Sequence, residues 1–130
     1  ETSLPPSVAG TAASLRVSES RVRDAYRRLD ARHALFLNPG ADDVRMAHPF
    51  SGVPTRFRVE VGDRAYWANC AWDALGIPAA LHADARIEAR LGDDGEEIRL
   101  AVEGDAVSGW DGVVHFARPF RHWYDDLIET

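Results

Sequence analysis

The chain has 130 residues, of which 45% are hydrophobic and 28% charged, with a formal net charge of -6 at pH 7. This length allows one globular domain or two small ones, and no apolar run approaches the roughly 18 residues that a membrane-spanning helix requires. The N-terminus has neither the basic start nor the apolar core of a signal peptide, so the cytoplasm is the expected compartment. A single cysteine, Cys70, excludes an intramolecular disulfide, and its thiol is therefore either buried and inert or reactive.

The charges are distributed unevenly along the chain. Residues 1–65 carry 10 arginines against 8 acidic residues, whereas residues 66–130 carry 5 against 13. This division indicates two functional halves. Because the acidic half would repel phosphate, binding of nucleic acid by the whole chain is disfavoured.

Two short helices are predicted in the first half, from Ser7 to Leu15 and from Ser18 or Glu19 to about Arg32. Ser18 or Ser20 can cap the second helix. The pattern over residues 34–46 is typical of a two-stranded wing, with apolar segments on either side of Asn38-Pro39-Gly40. We therefore predict a winged-helix-like domain over residues 1–52, with the boundary or linker at residues 48–54.

The second predicted helix carries five arginines that could contact DNA phosphates: Arg21, Arg23, Arg27, Arg28 and Arg32. A winged-helix DNA-binding regulator would use such a face. The simpler interpretation is a solvated helix face whose arginines pair with Asp24 and Asp30. We favour the second interpretation, so nucleic acid is not an expected partner.

A β-rich domain is predicted over residues 53–130. Its expected strands alternate apolar and polar residues: Phe57 to Val61, Ala65 to Trp67, a hairpin of Ala85 to Leu91 with Ile98 to Val102, and Gly112 to Ala117. A short helix from Cys70 to Leu75 should end at Gly76 and Pro78. Another helix is expected to start within Pro119 to Tyr124.

Cys70 and Asp73 lie three residues apart, and this spacing places a thiol and a carboxyl group on one side of a helical turn. A thiol in a first helical turn gains thiolate character, and thiolate sulfur is the ligand that soft metals prefer. The neighbouring carboxyl group can deliver or accept a proton. From spacing alone, however, Cys70 is more simply a small buried hydrophobic residue between two tryptophans.

The segment around this pair is more specific than the pair itself. Residues 66–81 read YWANCAWDALGIPAAL. This segment resembles the active-site segment of organomercurial (alkylmercury) lyases, in which an aromatic residue precedes Cys-Ala-x-Asp-x-Leu and a proline follows. The resemblance is firm over residues 57–103 and looser elsewhere, where the order of the predicted elements also matches.

The resemblance implies a reaction and a site. In organomercurial lyases two cysteine thiolates bind the mercury of an organomercury compound while an aspartate protonates the departing carbon, which releases a hydrocarbon and Hg(II). Cys70 matches the first cysteine and Asp73 matches the aspartate. Both are therefore expected to be catalytic and to contact mercury, as substrate or product. No organic cofactor is expected, and cellular thiols would support turnover.

The chain departs from the family pattern at the second catalytic cysteine, which has no counterpart in residues 1–130. The alignment sets residues 113–119 on the strand that precedes this cysteine and places the cysteine at or just past Thr130. A sequence truncated before that position is the expectation that we favour. The alternative is a catalytically inactive homologue that binds a thiophilic metal or another small molecule.

Two sets of side chains near the C-terminus are more simply structural than catalytic or metal-binding. The side chains of His115, His122, Asp125 and Asp126 match no metal-binding spacing, so a structural role is expected. Five aromatic residues are expected in the core, and part of this group could hold an alkyl or aryl group: Trp110, Phe116, Phe120, Trp123 and Tyr124.

Together these interpretations predict an α+β protein, with a winged-helix-like unit followed by a mixed β-sheet domain of the alkylmercury lyase type. The expected function is that of a bacterial organomercurial lyase in mercury resistance. Its expected partners are a small organomercury substrate and cellular thiols, without a membrane.

Overall fold

A computed structural model of the chain describes residues 3–92, 95–104, 106–116 and 118–125. It contains helix α1 (Val8–Leu15) and helix α2 (Glu19–Asp30), as predicted. The hydroxyl groups of Ser7 and Ser18 accept hydrogen bonds from backbone amides of the first turns and so cap the two helices. The N-terminal helical pair therefore forms where its capping residues and apolar spacing predict.

The described residues also form eight strands and a third helix, which lies between the fifth and sixth strands in the chain. The strands are β1 (Phe36–Leu37), β2 (Val44–Ala47), β3 (Phe50–Ser51), β4 (Phe57–Val61), β5 (Arg64–Ala68), β6 (Ala85–Leu91), β7 (Glu96–Glu103) and β8 (Ala106–Ser108). Helix α3 (Ala71–Leu81) lies between β5 and β6. The strand predictions for β4, β5 and the β6–β7 hairpin are confirmed.

The strands form one sheet in the order β1-β2-β3-β5-β4-β6-β7-β8. Every pairing between these strands is antiparallel, so the expectation of a mixed sheet is wrong. The short strand β3 lies inside the predicted linker, where Phe50 pairs with both Ala47 and Ala68. This strand joins the N-terminal hairpin to the rest of the sheet. The division into domains at residues 52 and 53 stays a prediction.

Helix α3 is longer than the predicted Cys70–Leu75 helix because it continues through Gly76 and Pro78 to Leu81. Proline removes one backbone hydrogen bond from a helix interior, but Pro78 is buried and Ile77 is 0% exposed. Burial of this apolar face against the sheet offsets the local cost. Gly76 packs closely against Pro49, because a Cβ atom added there would lie 3.2 Å from Cβ of that proline.

The predicted strand from Gly112 to Ala117 is wrong over residues 112–116, which form no strand, and Ala117 lies outside the described residues. The edge of the sheet is instead completed by β8, which pairs with β7. The helix predicted within Pro119 to Tyr124 is a single 3₁₀ turn at Phe120–His122. In this region Phe116 contacts Trp72 of α3, whereas Val113 is 83% exposed.

Two apolar clusters support the fold. One joins α1, α2 and the first hairpin through Val22, Tyr26 and Leu35, and the other joins α3 to the sheet through Val59, Ile77 and Ile87. The α+β class is therefore confirmed. Among the described residues, no helix combines the length and apolar character needed to cross a bilayer.

Candidate active site

Cys70 lies at the N-cap of α3, two residues after the end of the short β4–β5 hairpin. Its backbone is extended there, and its Sγ atom accepts a hydrogen bond from the amide of Asp73 at 3.5 Å. The thiol thus occupies the position that Ser, Thr or Asp usually takes at a helix start. A sulfur atom at this position faces the exposed N–H groups of the helix, which stabilise negative charge.

Asp73 lies one turn into α3, and its side chain is buried, since the residue is only 7% exposed. Its carboxyl group lies within interaction range of the Cys70 thiol. The predicted juxtaposition of the two groups on one helical turn is therefore present in the structure. Their roles in a reaction stay predictions.

The pKa of Cys70 is raised above its ordinary value of 9.0. Burial is the largest cause, and the neighbouring Asp73 carboxylate adds to it, whereas the amides of Asp73 and Trp72 act in the opposite direction. Burial and the carboxylate therefore outweigh the helix terminus. Both effects favour the protonated form of the thiol.

Two residues that sequence reasoning did not select complete the surroundings of Asp73. The side-chain amide of Asn69 donates to Oδ2 of Asp73 at 3.0 Å, and Nδ1 of His48 lies 3.4 Å from the same oxygen. Asn69 lies four residues before Asp73, within the segment 66–81 that resembles the lyases. This spacing could have indicated that the two side chains meet. His48 comes from the turn between β2 and β3, and nothing in the sequence indicated that this turn reaches α3.

Aromatic residues from the C-terminal segment lie beside the start of α3. Phe116 packs edge-on against Trp72 with ring centroids 6.5 Å apart, and Trp123 lies 4.9 Å from Phe116. Trp72 itself is 62% exposed. The expected core position is wrong for Phe116 and Tyr124, which are 36% and 44% exposed, and the side chain of Phe120 lies outside the described residues.

Tyr124 makes a separate contact, because its ring stacks on His33 at 4.5 Å between centroids. Phe36 lies 6.1 Å from Tyr124 and 6.0 Å from His48. These rings connect the C-terminal segment with the histidine that contacts Asp73. The surroundings of the site thus include residues from both ends of the chain.

A cavity of about 280 Å³ lies on the other side of the α3 start. Ala71 and Ala74 form part of its wall, together with residues of β4, β6, β7 and the segment containing Trp110 and Val114. Most of this lining is apolar. The space is sufficient for a small organic group close to the residue that follows Cys70.

The described residues contain no cluster of three or more His, Cys, Asp or Glu side chains that could hold a metal ion. His122 pairs with Asp125 at 2.9 Å, whereas Asp126 lies outside the described residues. The structural role expected for the C-terminal histidines and carboxylates stays a prediction.

The arginine-rich face of α2 is partly neutralised by acidic side chains. Arg27 donates two hydrogen bonds to Asp42, and Arg23 contacts Glu19 at 2.6 Å. Asp30, a partner expected for these arginines, instead accepts a hydrogen bond from the backbone of Leu37. The pairing expected with Asp30 is therefore wrong, Asp42 is the partner of Arg27, and the solvated-face interpretation stays a prediction.

Comparisons with known proteins agree with this fold. The profile of the MerB alkylmercury lyase family matches residues 50–128. The chain is similar to a solved structure described as the mercury-bound form of MerB2, with 22% identity and a TM-score of 0.62. This similarity, which shows a shared fold, covers 78% of the chain and 49% of the other chain, so these residues span about half the length of that relative.

None of the curated proteins matches the chain. The family profile nevertheless covers more than half of the 130 residues and includes the whole Cys70 turn and α3. The chain belongs to the alkylmercury lyase family.

Proposed function

We propose that the protein is an organomercurial lyase that cleaves carbon–mercury bonds by protonolysis. The observation that carries this proposal is the placement of the Cys70 thiol and the buried Asp73 side chain on the first turn of α3, where the Asp73 amide donates to Sγ of Cys70 at 3.5 Å. Membership of the alkylmercury lyase family supports the same reaction. The substrate would be a small organomercury compound, and its mercury is part of the substrate rather than a resident cofactor.

The raised pKa of Cys70 fits the proton balance of this reaction. Mercury of the R–Hg⁺ cation replaces the thiol proton and forms a sulfur–mercury bond, and the released proton passes to the Asp73 carboxylate. Asp73 then donates this proton to the carbon bound to mercury. The carbon–mercury electron pair forms the new C–H bond, R–H departs, and Hg(II) stays on sulfur.

A second soft ligand is needed to stabilise and remove Hg(II), because two-coordinate thiolate binding suits this metal. Cys70 is the one thiol of these 130 residues. We propose that a second thiol, from the protein or from a small cellular thiol, completes the coordination. The apolar cavity beside Ala71 and Ala74 offers space for the organic group.

The two helices and the β1–β2 hairpin are proposed to serve as a winged-helix-like structural cover. Arg27 lies on the face of α2 that a DNA-binding helix would use, but it donates two hydrogen bonds to Asp42. This pairing argues against a DNA-binding regulator. An inactive homologue that binds a thiophilic metal at Cys70 is the remaining alternative. It would bind mercury compounds but release no hydrocarbon.

The test is to incubate the protein with phenylmercury and excess small-molecule thiol and to measure benzene by gas chromatography. Wild type should release benzene, and Cys70→Ser should abolish the release. Asp73→Ala should retain mercury binding but slow benzene formation by about 100-fold or more, in the range of a lost acid catalyst.

The matched control is Asp84→Ala, since Asp84 contacts the backbone of Gly104 away from the α3 N-terminus. This variant should release benzene at a rate close to that of wild type. Absence of benzene from wild type, in an assay where an active lyase produces it, would refute the lyase. Retained phenylmercury binding would then favour the inactive homologue.

A further inference from the structure

The side-chain amide of Asn69 bridges two parts of the site. Its Nδ2 atom donates to Oδ2 of Asp73 at 3.0 Å and lies 3.5 Å from the carbonyl oxygen of Pro49. Both partners can only accept a hydrogen bond when Asp73 is ionised, so the nitrogen rather than the oxygen of the amide must face them. One residue thereby connects α3 with the turn that precedes β3.

The backbone around Asn69 is held by the sheet. Asn69 directly follows β5, whose last residue, Ala68, pairs with Phe50 of β3 and Phe57 of β4. Pro49 is the neighbour of Phe50 in the chain. The donor and the carbonyl that orients it are therefore fixed to adjacent strands, and a functional group is positioned most accurately from such rigid elements.

The two oxygens of the Asp73 carboxyl group have different surroundings. Asn69 and His48 both lie on Oδ2, at 3.0 Å and 3.4 Å. Among the described residues, no nitrogen donor contacts Oδ1. The two nitrogen contacts therefore hold the carboxyl group through Oδ2.

We infer that Asn69 is a positioning residue, which holds Oδ2 of Asp73 so that Oδ1 faces the group bound to Cys70. This inference rests on the proposed function for its catalytic consequence. Without this donor only the longer contact with His48, at 3.4 Å, would hold Oδ2, and the carboxyl group would rotate toward a better partner because a poorly satisfied buried oxygen is costly. Rotation would move the acid away from the carbon that it must protonate.

The test compares Asn69→Leu, which keeps the side-chain size but removes the donor, with Asn69→Gln, which keeps the amide. For benzene release from phenylmercury, Asn69→Leu should lower kcat by about 10-fold or more while KM changes by less than about 2-fold, since Cys70 still binds mercury. Asn69→Gln should recover most of kcat. Asn38→Leu, at the other asparagine of the chain, is the matched control and should leave both constants unchanged.

Crystal structures of wild type and Asn69→Leu provide a readout that does not depend on turnover. The Asp73 carboxyl group should hold one orientation in wild type and rotate in the variant. An unchanged Asp73 orientation, or an unchanged kcat, overturns the inference. If wild type releases no benzene, the lyase proposal fails while the two structures still decide the positioning role. Should Asn69→Leu not fold, Asn69→Ala removes the same donor and is measured in its place.

Discussion

Nδ1 of His48 lies 3.4 Å from Oδ2 of Asp73, although 25 residues separate the two in the chain. The hydrogen bond to Asp73 raises the pKa of His48 above its ordinary value of 6.5, while partial burial opposes the shift and the charge of Asp73 adds to it. His48 is about half-exposed, so the contact is screened by solvent. It nevertheless connects the β2–β3 turn electrostatically with α3.

This contact predicts a pH-dependent contribution to stability. Because folding raises the pKa of His48, the contribution is fully present below the unfolded value near 6.5 and is lost as the pH rises through the folded value. The free energy of unfolding of wild type, relative to His48→Asn, should therefore decrease between about pH 6 and pH 8. Urea denaturation at several pH values measures this difference.

The partner residue provides the control for this prediction. Asp73→Asn removes the carboxylate, so His48→Asn introduced into that variant should change stability by an amount that no longer depends on pH. If the difference in free energy of unfolding between wild type and His48→Asn stays constant from about pH 6 to pH 8, the contact does not depend on protonation of His48.

The raised pKa of Cys70 predicts slow alkylation near neutral pH. Only the thiolate reacts with iodoacetamide, so the rate for the folded protein should still be increasing as the pH passes 9.0, the ordinary cysteine value. Asp73→Asn removes the carboxylate that disfavours the thiolate and should shift the rate profile to lower pH. Mass spectrometry of the alkylated protein measures both profiles. A wild-type inflection below pH 8 would contradict the balance of burial and helix amides described above.

The sequence predicted the parts of the fold that depend on local patterns. Ser7 and Ser18 cap the helices, and alternating apolar residues identified the β6–β7 hairpin, in which Ile87 pairs with Leu100. The end of α3 was not predictable in this way. Pro78 is a local signal to stop a helix, but the burial of Ile77 against the sheet overrides it.

The candidate site was predictable only where it is local. Cys70 and Asp73 belong to one helical turn, so their proximity follows from spacing alone. His48 reaches Asp73 through the pairing of β3 with β5, a long-range contact that a single sequence does not reveal. The direction of the Cys70 pKa shift also required the structure, since burial and helix amides act in opposite directions.

Packing of α3 against the sheet should be the main local support of the site. Ile77 is fully buried one turn after Asp73, so Ile77→Ala should lower the free energy of unfolding by about 3 kcal/mol through lost burial and a residual cavity. Leu81→Ala on the same helix is the matched control, because Leu81 is 38% exposed and its truncation should cost less than half as much. Urea denaturation measures both. Equal decreases in the free energy of unfolding of the two variants would show that the end of α3 contributes as much to stability as its buried face.

The ion pairs on α2 predict that the arginine-rich face does not bind DNA. Arg27 donates to both carboxylate oxygens of Asp42, at 2.9 Å and 3.1 Å, and Arg23 lies 3.6 Å from the same carboxylate. Asp42 would also repel the phosphate backbone. A gel-shift titration of wild type with duplex DNA should show no salt-sensitive complex, whereas Asp42→Asn releases Arg27, leaves Arg23 paired with Glu19, and should increase any weak binding at low salt. A salt-sensitive complex of wild type that Asp42→Asn leaves unchanged would restore the regulator as a candidate, because phosphate contacts would then form despite the paired arginines.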